Sequence, residues 1–319
     1  MKNFLCFCLL SATLFAVDTL TPIATIDING TVKDMVFNQN RLVIATDMGH
    51  IEIYDAKSRE KLKEISIPDI KDFMGDIMPA RVMSTDVIAE QYLLLSDSGK
   101  GGYSDLYLFK EGKISKLIGP EDKEAIIKAR FVDDRHILLG YLGDEVALLD
   151  IESKKELYRT QLSESKFSDF MLNEKHTQAV FSCESGVLSV VDVKSGKVIE
   201  ELQGQNVDNV YKVDYKAGTV SGAGQDRRGS LYDVKTKKGT YIAGEFLIYA
   251  TALSPTAAKV AFAMDEKNNI SIYNRSSKSK IALLKGQKST LNVIIFQDEN
   301  RLFSASDDNT IMIWDLNKK

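Results

Sequence analysis

One pattern recurs along the chain at a nearly fixed interval. An alternating apolar triplet ends in an aromatic or aliphatic residue, and Asp or a substitute follows. The copies are Tyr54-Asp55, Phe109-Lys110, Leu149-Asp150, Val191-Asp192, Tyr232-Asp233, Tyr273-Asn274 and Trp314-Asp315. Successive copies stand 55, 40, 42, 41, 41 and 41 residues apart. Such a period restricts the chain to architectures built from like units, each burying its apolar surface against its neighbours.

The grammar within a unit is that of short strands. An alternating segment comes first, such as KDMVF (33–37) or LNVIIF (291–296). A polar turn and a short apolar strand follow, for example RLVIAT, HILLGY or QAVFSC. Next come a Gly/Asp/Asn turn, the strand with the triplet, a second turn and an outer strand such as KVIEEL. Period-2 patterning with turn residues between predicts four antiparallel strands per unit. Helical periodicity is nearly absent, and EDKEAIIKA from Glu121 reads as a turn leading into a strand. Four-stranded units of roughly 40–45 residues are the size of propeller blades, and a ring is the arrangement that covers both faces of every sheet. The expected fold is all-β, a seven-bladed β-propeller.

The seventh unit reaches Lys319 after only three strands, while TPIATIDI (Thr21–Ile28) has no place in the first unit. This segment is expected to pair with the strand through Trp314 and to complete the last blade. The clasp would remove an exposed sheet edge, so losing either end should cost more than an ordinary terminal truncation.

The N-terminus differs from the rest. MKNFLCFCLLSATLFA carries one cation, Lys2, and then an uncharged apolar stretch from Phe4 to Val17. That is shorter than the roughly 20 residues of a spanning helix. It has the form of a signal peptide, with Ala16 as the small residue before cleavage. Residues 1–16 are read as a leader and 17–319 as one secreted domain with no stable membrane insertion; an uncleaved anchor is the alternative. Cys6 and Cys8 fall in the leader, which leaves Cys183 alone and no internal disulfide.

Charge and motifs narrow the function. Asp and Glu number 45 against 41 Lys and Arg, a net charge of −4. No basic excess exists to hold a phosphate backbone, so nucleic acid is not the expected ligand. The chain has no Gly-x-Ser-x-Gly, no HExxH, no paired Cys and no haem-attachment motif. His50, His136 and His176 are far apart in sequence. No catalytic residue, cofactor or metal is expected, and the predicted role is a protein-binding platform. The rival is a propeller enzyme, or a cofactor- or metal-binding protein, with its site in the central channel.

Propellers place function on loops. GAGQDRRG (222–229) sets Arg227 and Arg228 among acidic neighbours, and Arg suits contacts with a partner's carboxylates. SDSGKGGYSD (96–105) is long and Gly-rich, with Lys100 and Tyr103. These four residues are the candidate partner contacts. Unit two is longer than the others by 55 − 41 = 14 residues, near DIKDFMGDIMPARVMSTD. The methionines there, Met74, Met78 and Met83, suit either core packing, the commoner use, or an adaptable binding surface.

The last unit, Leu284 to Leu316, resembles a repeat of the Trp-Asp (WD) propeller family. Gly286 matches that family's Gly-His pair, with Gln287 in the His position. Ser304, Asp308, Trp314 and Asp315 fill its other positions, and the resemblance implies a structural, hydrogen-bonding role for them. A signal, this length and seven degenerate units are also similar to the L-type accessory proteins encoded with periplasmic nitrate reductases. That resemblance implies a periplasmic location, nitrate reductase components as partners, and no direct redox chemistry.

Overall fold

The computed structural model describes residues 17–318. The leader assigned to residues 1–16 lies outside the described residues. Among them are strands and turns and no helix. Among the described residues seven sheets follow one another around the ring, each with four antiparallel strands, here a to d, running outward from the ring axis; they are consecutive in sequence in every blade but the seventh. The a strands are Val32–Asn38, Val82–Ile88, Ile126–Phe131, Phe167–Leu172, Val210–Lys216, Ala250–Leu253 and Leu291–Phe296. The expected seven-bladed propeller is what the chain forms.

The core explains why the units need one another. It divides into seven apolar clusters, and each joins two adjacent blades. One cluster packs Val32, Met35 and Tyr54 of blade 1 against Phe303 and Ile311 of blade 7, so the ring is closed. The outer strands are rich in Lys and Glu and largely exposed, as in Lys61–Ser66 and Lys197–Leu202. Charged edges of this kind resist pairing with other chains.

The clasp is present and wider than expected. Ala24–Asp27 runs antiparallel to Thr310–Asp315, with Ala24 opposite Ile313 and Asp27 opposite Thr310. Upstream, Asp18–Leu20 adds a fifth strand to blade 6, parallel to Lys280–Leu284. The sequence gives no periodic signal for three residues, so this second attachment was not foreseen. Between the two strands Pro22 lies over Gly286, where a Cβ would stand 3.1 Å from the proline Cδ.

The Asp of the repeat closes the turn after strand c. Asp55 accepts from the Ser58 amide, Asp150 from Ser153, Asp192 from Ser195 and Asp233 from Thr236. Asn274 does the same for Ser277, and Asp315 for Asn317. A carboxylate that mimics a turn carbonyl is the physical reason for the residue. Blade 2 has Lys110 there and turns instead on Glu111 and Gly112, both at positive φ (50° and 76°), as a two-residue hairpin requires.

Candidate functional site: one face of the ring

Antiparallel strands put the b–c turns and the d–a connections on the same face. Most of the extra length of unit two lies in the connection from blade 1 to blade 2, residues 67–81, and part of the rest in the loop 98–103. They form a hairpin finger from two short strands, Ile70–Lys71 and Ile77–Met78. At its tip the Asp72 carboxylate accepts from the amides of Met74 and Asp76, both at 2.9 Å. The Asp72 amide donates to the Asp76 carbonyl, and Gly75 turns the chain at φ +92°. This small frame holds Phe73 93% exposed, Met74 73% and Ile77 70%. Met83 is not part of it; it lies half-buried on strand a of blade 2.

The Gly-rich loop of blade 2 lies against this finger. At Gly99 (φ +72°) a Cβ would stand 2.3 Å from the Lys71 carbonyl oxygen, so only glycine lets the two backbones meet. The loop is ordered by its own bonds, with Ser98 N donating to Tyr103 O and Tyr103 N to Lys100 O. Finger and loop enclose a groove of about 590 Å³, lined by Ile70, Phe73, Met78 and Pro79 on one side and by Lys100 and Tyr103 on the other. Two features that are separate in sequence thus make one surface. Lys100 is exposed and Tyr103 half-buried.

Arg227 and Arg228 occupy the same face on blade 5, away from this groove. Arg227 is exposed in the turn at φ +64°. Arg228 is half-buried and already engaged. Its guanidinium lies 4.7 Å from the centre of the Tyr241 ring and donates to the Gln205 carbonyl. A free pair of cations is therefore not what the turn presents.

Blade 7 carries a continuous buried network. Trp314 Nε1 donates to Ser304 Oγ at 2.8 Å, and Ser304 Oγ donates to Gln287 Oε1 at 3.0 Å. Gln287 Nε2 then donates to Ser306 Oγ at 2.8 Å, and Ser306 Oγ to Asp308 at 2.9 Å. The glutamine amide has both a donor and an acceptor, so it bridges two serines. Ser306 was missed from the sequence, although SASDD places it between Ser304 and Asp308.

Blade 1 solves the same packing problem with charge. Glu52 is buried and accepts from Tyr54 Oη (2.6 Å) and the Asn29 amide (3.0 Å), with His50 Nε2 at 3.3 Å. Burial alone would raise its carboxyl; these bonds reverse that and hold it at about 2. Ligand atoms of His50, Glu52 and Glu64 lie within 4.8 Å of one another, a spacing that suits a cation. Lys61 Nζ already stands there, 3.2 Å from Glu52 and 2.6 Å from Glu64. The grouping arises because strands c and d pair side by side, which distance along the chain conceals.

The central channel is a cavity of about 390 Å³ lined by the a strands. Six of these strands have a bulge, and in four of them the residue that follows it is charged: Asp34, Lys128, Asp169 and Lys212. All four line the cavity. Arg130 pairs with Asp34 at 2.8 Å and Lys128 with Asp169 at 2.6 Å. Arg130 also donates to Ser84 Oγ and the Thr85 carbonyl. Four carboxylates each bond a backbone amide of the next blade: Asp34 to Thr85, Asp86 to Phe131, Asp169 to Val213 and Asp214 to Leu253, joining blades 1–2, 2–3, 4–5 and 5–6. Burial pushes Asp86 and Asp214 up despite these bonds. Burial also lowers Lys128 to about 8, with Asp169 offsetting part of the effect.

No family model matches the chain, and no curated protein does. Among solved structures, the Cps50 (Swd1) β-propeller domain of Myceliophteria thermophila superposes with a TM-score of 0.71 at 15% identity, covering 92% of this chain and 99% of that one. The likeness shows the fold. At that identity it says nothing of activity, so the reading of function rests on the residues themselves.

Proposed function

We propose that this protein is a non-catalytic, protein-binding propeller, exported to the periplasm, where it acts as an accessory or assembly factor. The observation that carries the reading is the finger: an ordered turn that holds Phe73 and Met74 in water. Large apolar side chains on a rigid support are the groups that dominate protein interfaces, and a prebuilt turn lowers the entropy lost on binding. The export reading rests on MKNFLCFCLLSATLFA. Periplasmic nitrate reductase components are the partners that the resemblance to the L-type accessory proteins names.

The test is capture of partners from periplasmic extract on the tagged, full-length protein, with Phe73→Ser/Met74→Ser beside it. Specific proteins that co-elute with the wild type and not with the variant support the platform. A purified protein that carries a chromophore or metal and no protein partner would overturn it and move the function to the channel.

A further inference from the structure

The finger has a charge pattern as well as an apolar tip. Residues 69–78 hold Asp69, Asp72 and Asp76 against Lys71 alone, so its net charge is 1 − 3 = −2. Asp69, Lys71 and Asp76 are exposed. The Asp72 carboxylate is committed to the turn amides. The groove beside the finger adds Asp47 and Asp97 to its lining, against Arg81, which is paired to Asp97 at 3.0 Å, and the exposed Lys100 at its loop side. Apolar groups that enter a membrane interface come with Lys and Arg, which anionic headgroups attract. This tip carries the opposite sign.

Resting on the platform reading above, we propose that the finger docks into an apolar cleft of a partner protein whose rim carries Lys or Arg side chains. Phe73 and Met74 fill the cleft. Asp69 and Asp76 meet the basic rim, and the groove between finger and loop receives one rim side chain beside Tyr103. The shape supports this assignment, because a convex tip needs a concave partner. The frame at the base keeps the finger in register: Gly99 seats the loop on Lys71, and the Asp72 turn fixes the tip. Opposite potentials across such a contact speed association and select the partner, and salt screens them.

The experiment replaces Phe73 with the photo-crosslinking residue p-benzoylphenylalanine in the full-length protein. Cells are irradiated and the cross-linked peptides are sequenced. Asp69→Lys/Asp76→Lys and Phe73→Ser/Met74→Ser are run in parallel, each with a thermal melt to establish folding. The proposal expects cross-links to a protein segment containing apolar residues and Lys or Arg. It expects capture to fall about tenfold or more in either variant, and wild-type capture to weaken between low and high salt. Cross-links that form while charge reversal and salt leave capture unchanged would overturn the basic rim and keep the platform. Undiminished capture with no cross-link from position 73 would overturn the finger and keep the platform on another surface. No captured protein, with cosedimentation on phosphatidylglycerol-containing vesicles, would overturn both readings in favour of a membrane.

Discussion

Two regions of the molecule invert the usual distribution of side chains. The channel takes charges out of water, and the finger puts large apolar groups into it. Their partners differ. Arg130 has Asp34, Lys128 has Asp169, and Asp86 and Asp214 have the amides of neighbouring blades. Phe73 and Met74 touch solvent. A buried charge with its counterion inside the same ring is bonding between blades; an exposed apolar tip on a rigid frame is left for another molecule. The contrast favours the finger as the place of function and assigns the channel charges to bonding between blades.

The strongest way to break this comparison is to open the ring. A chain begun at residue 29 loses the buried side chains of Leu20, Ile26 and Ile28. At about 1.5–3 kcal/mol each, that loss of roughly 5–9 kcal/mol rivals the whole stability of many domains. Chemical denaturation should find the shortened chain largely unfolded or aggregated. A fully stable monomer would mean that the clasp is ornamental.

Asp34→Ala leaves the Arg130 guanidinium without its counterion at the centre of the ring. A cost of about 3–5 kcal/mol is expected in urea unfolding. A cost near zero would show that the channel is wet enough to solvate Arg130, and would return it to consideration as a ligand site.

The pH dependence sharpens the same point. Lys128 is held at about 8 in the native state, against an ordinary value of 10.5. Below about 8 it is charged in both states, and the folded protein bears the cost of burying it. Between about 8 and 10.5 the unfolded chain binds the extra proton, so Lys128 makes stability rise with pH in that window. At the other end, Glu52 at about 2 stabilises the fold above its unfolded value near 4.5, and this is lost as pH falls towards 2. Urea midpoints measured from pH 7 to 10 for the wild type and Lys128→Met should show the alkaline rise removed in the variant.

The smallest effect on stability belongs to the finger. Phe73→Ser/Met74→Ser should leave the melting curve within about 0.5 kcal/mol of wild type, as for surface positions generally, while partner capture collapses. A large loss of stability would show that the tip packs on the protein's own body.

Much of this architecture was legible in the repeat. The position of Trp314-Asp315 and its six antecedents fixes blade number, strand order and the missing outer strand, because period and turn chemistry are local properties of sequence. The finger was visible as part of an excess of 14 residues and as Met74 and Met78, whereas Met83 belongs to strand a; the Gly-rich loop was visible as a composition. Their union was not, since it depends on Gly99 meeting Lys71 across the gap between blades. The same holds for the channel, where Asp34 and Arg130 lie 96 positions apart. Arg227 and Arg228 read alike in sequence and separate in the structure, because Arg228 begins a strand whose neighbour supplies Tyr241.

The most direct test of the central claim is hydrogen–deuterium exchange of the full-length protein, alone and with its captured partner. Protection appearing at residues 69–81 and 98–103, with the a strands unchanged, is the result expected of a platform that binds through its finger. Protection confined to the a strands around Asp34, Lys128 and Asp169, with residues 69–81 exchanging as before, would place the function in the channel and contradict the account.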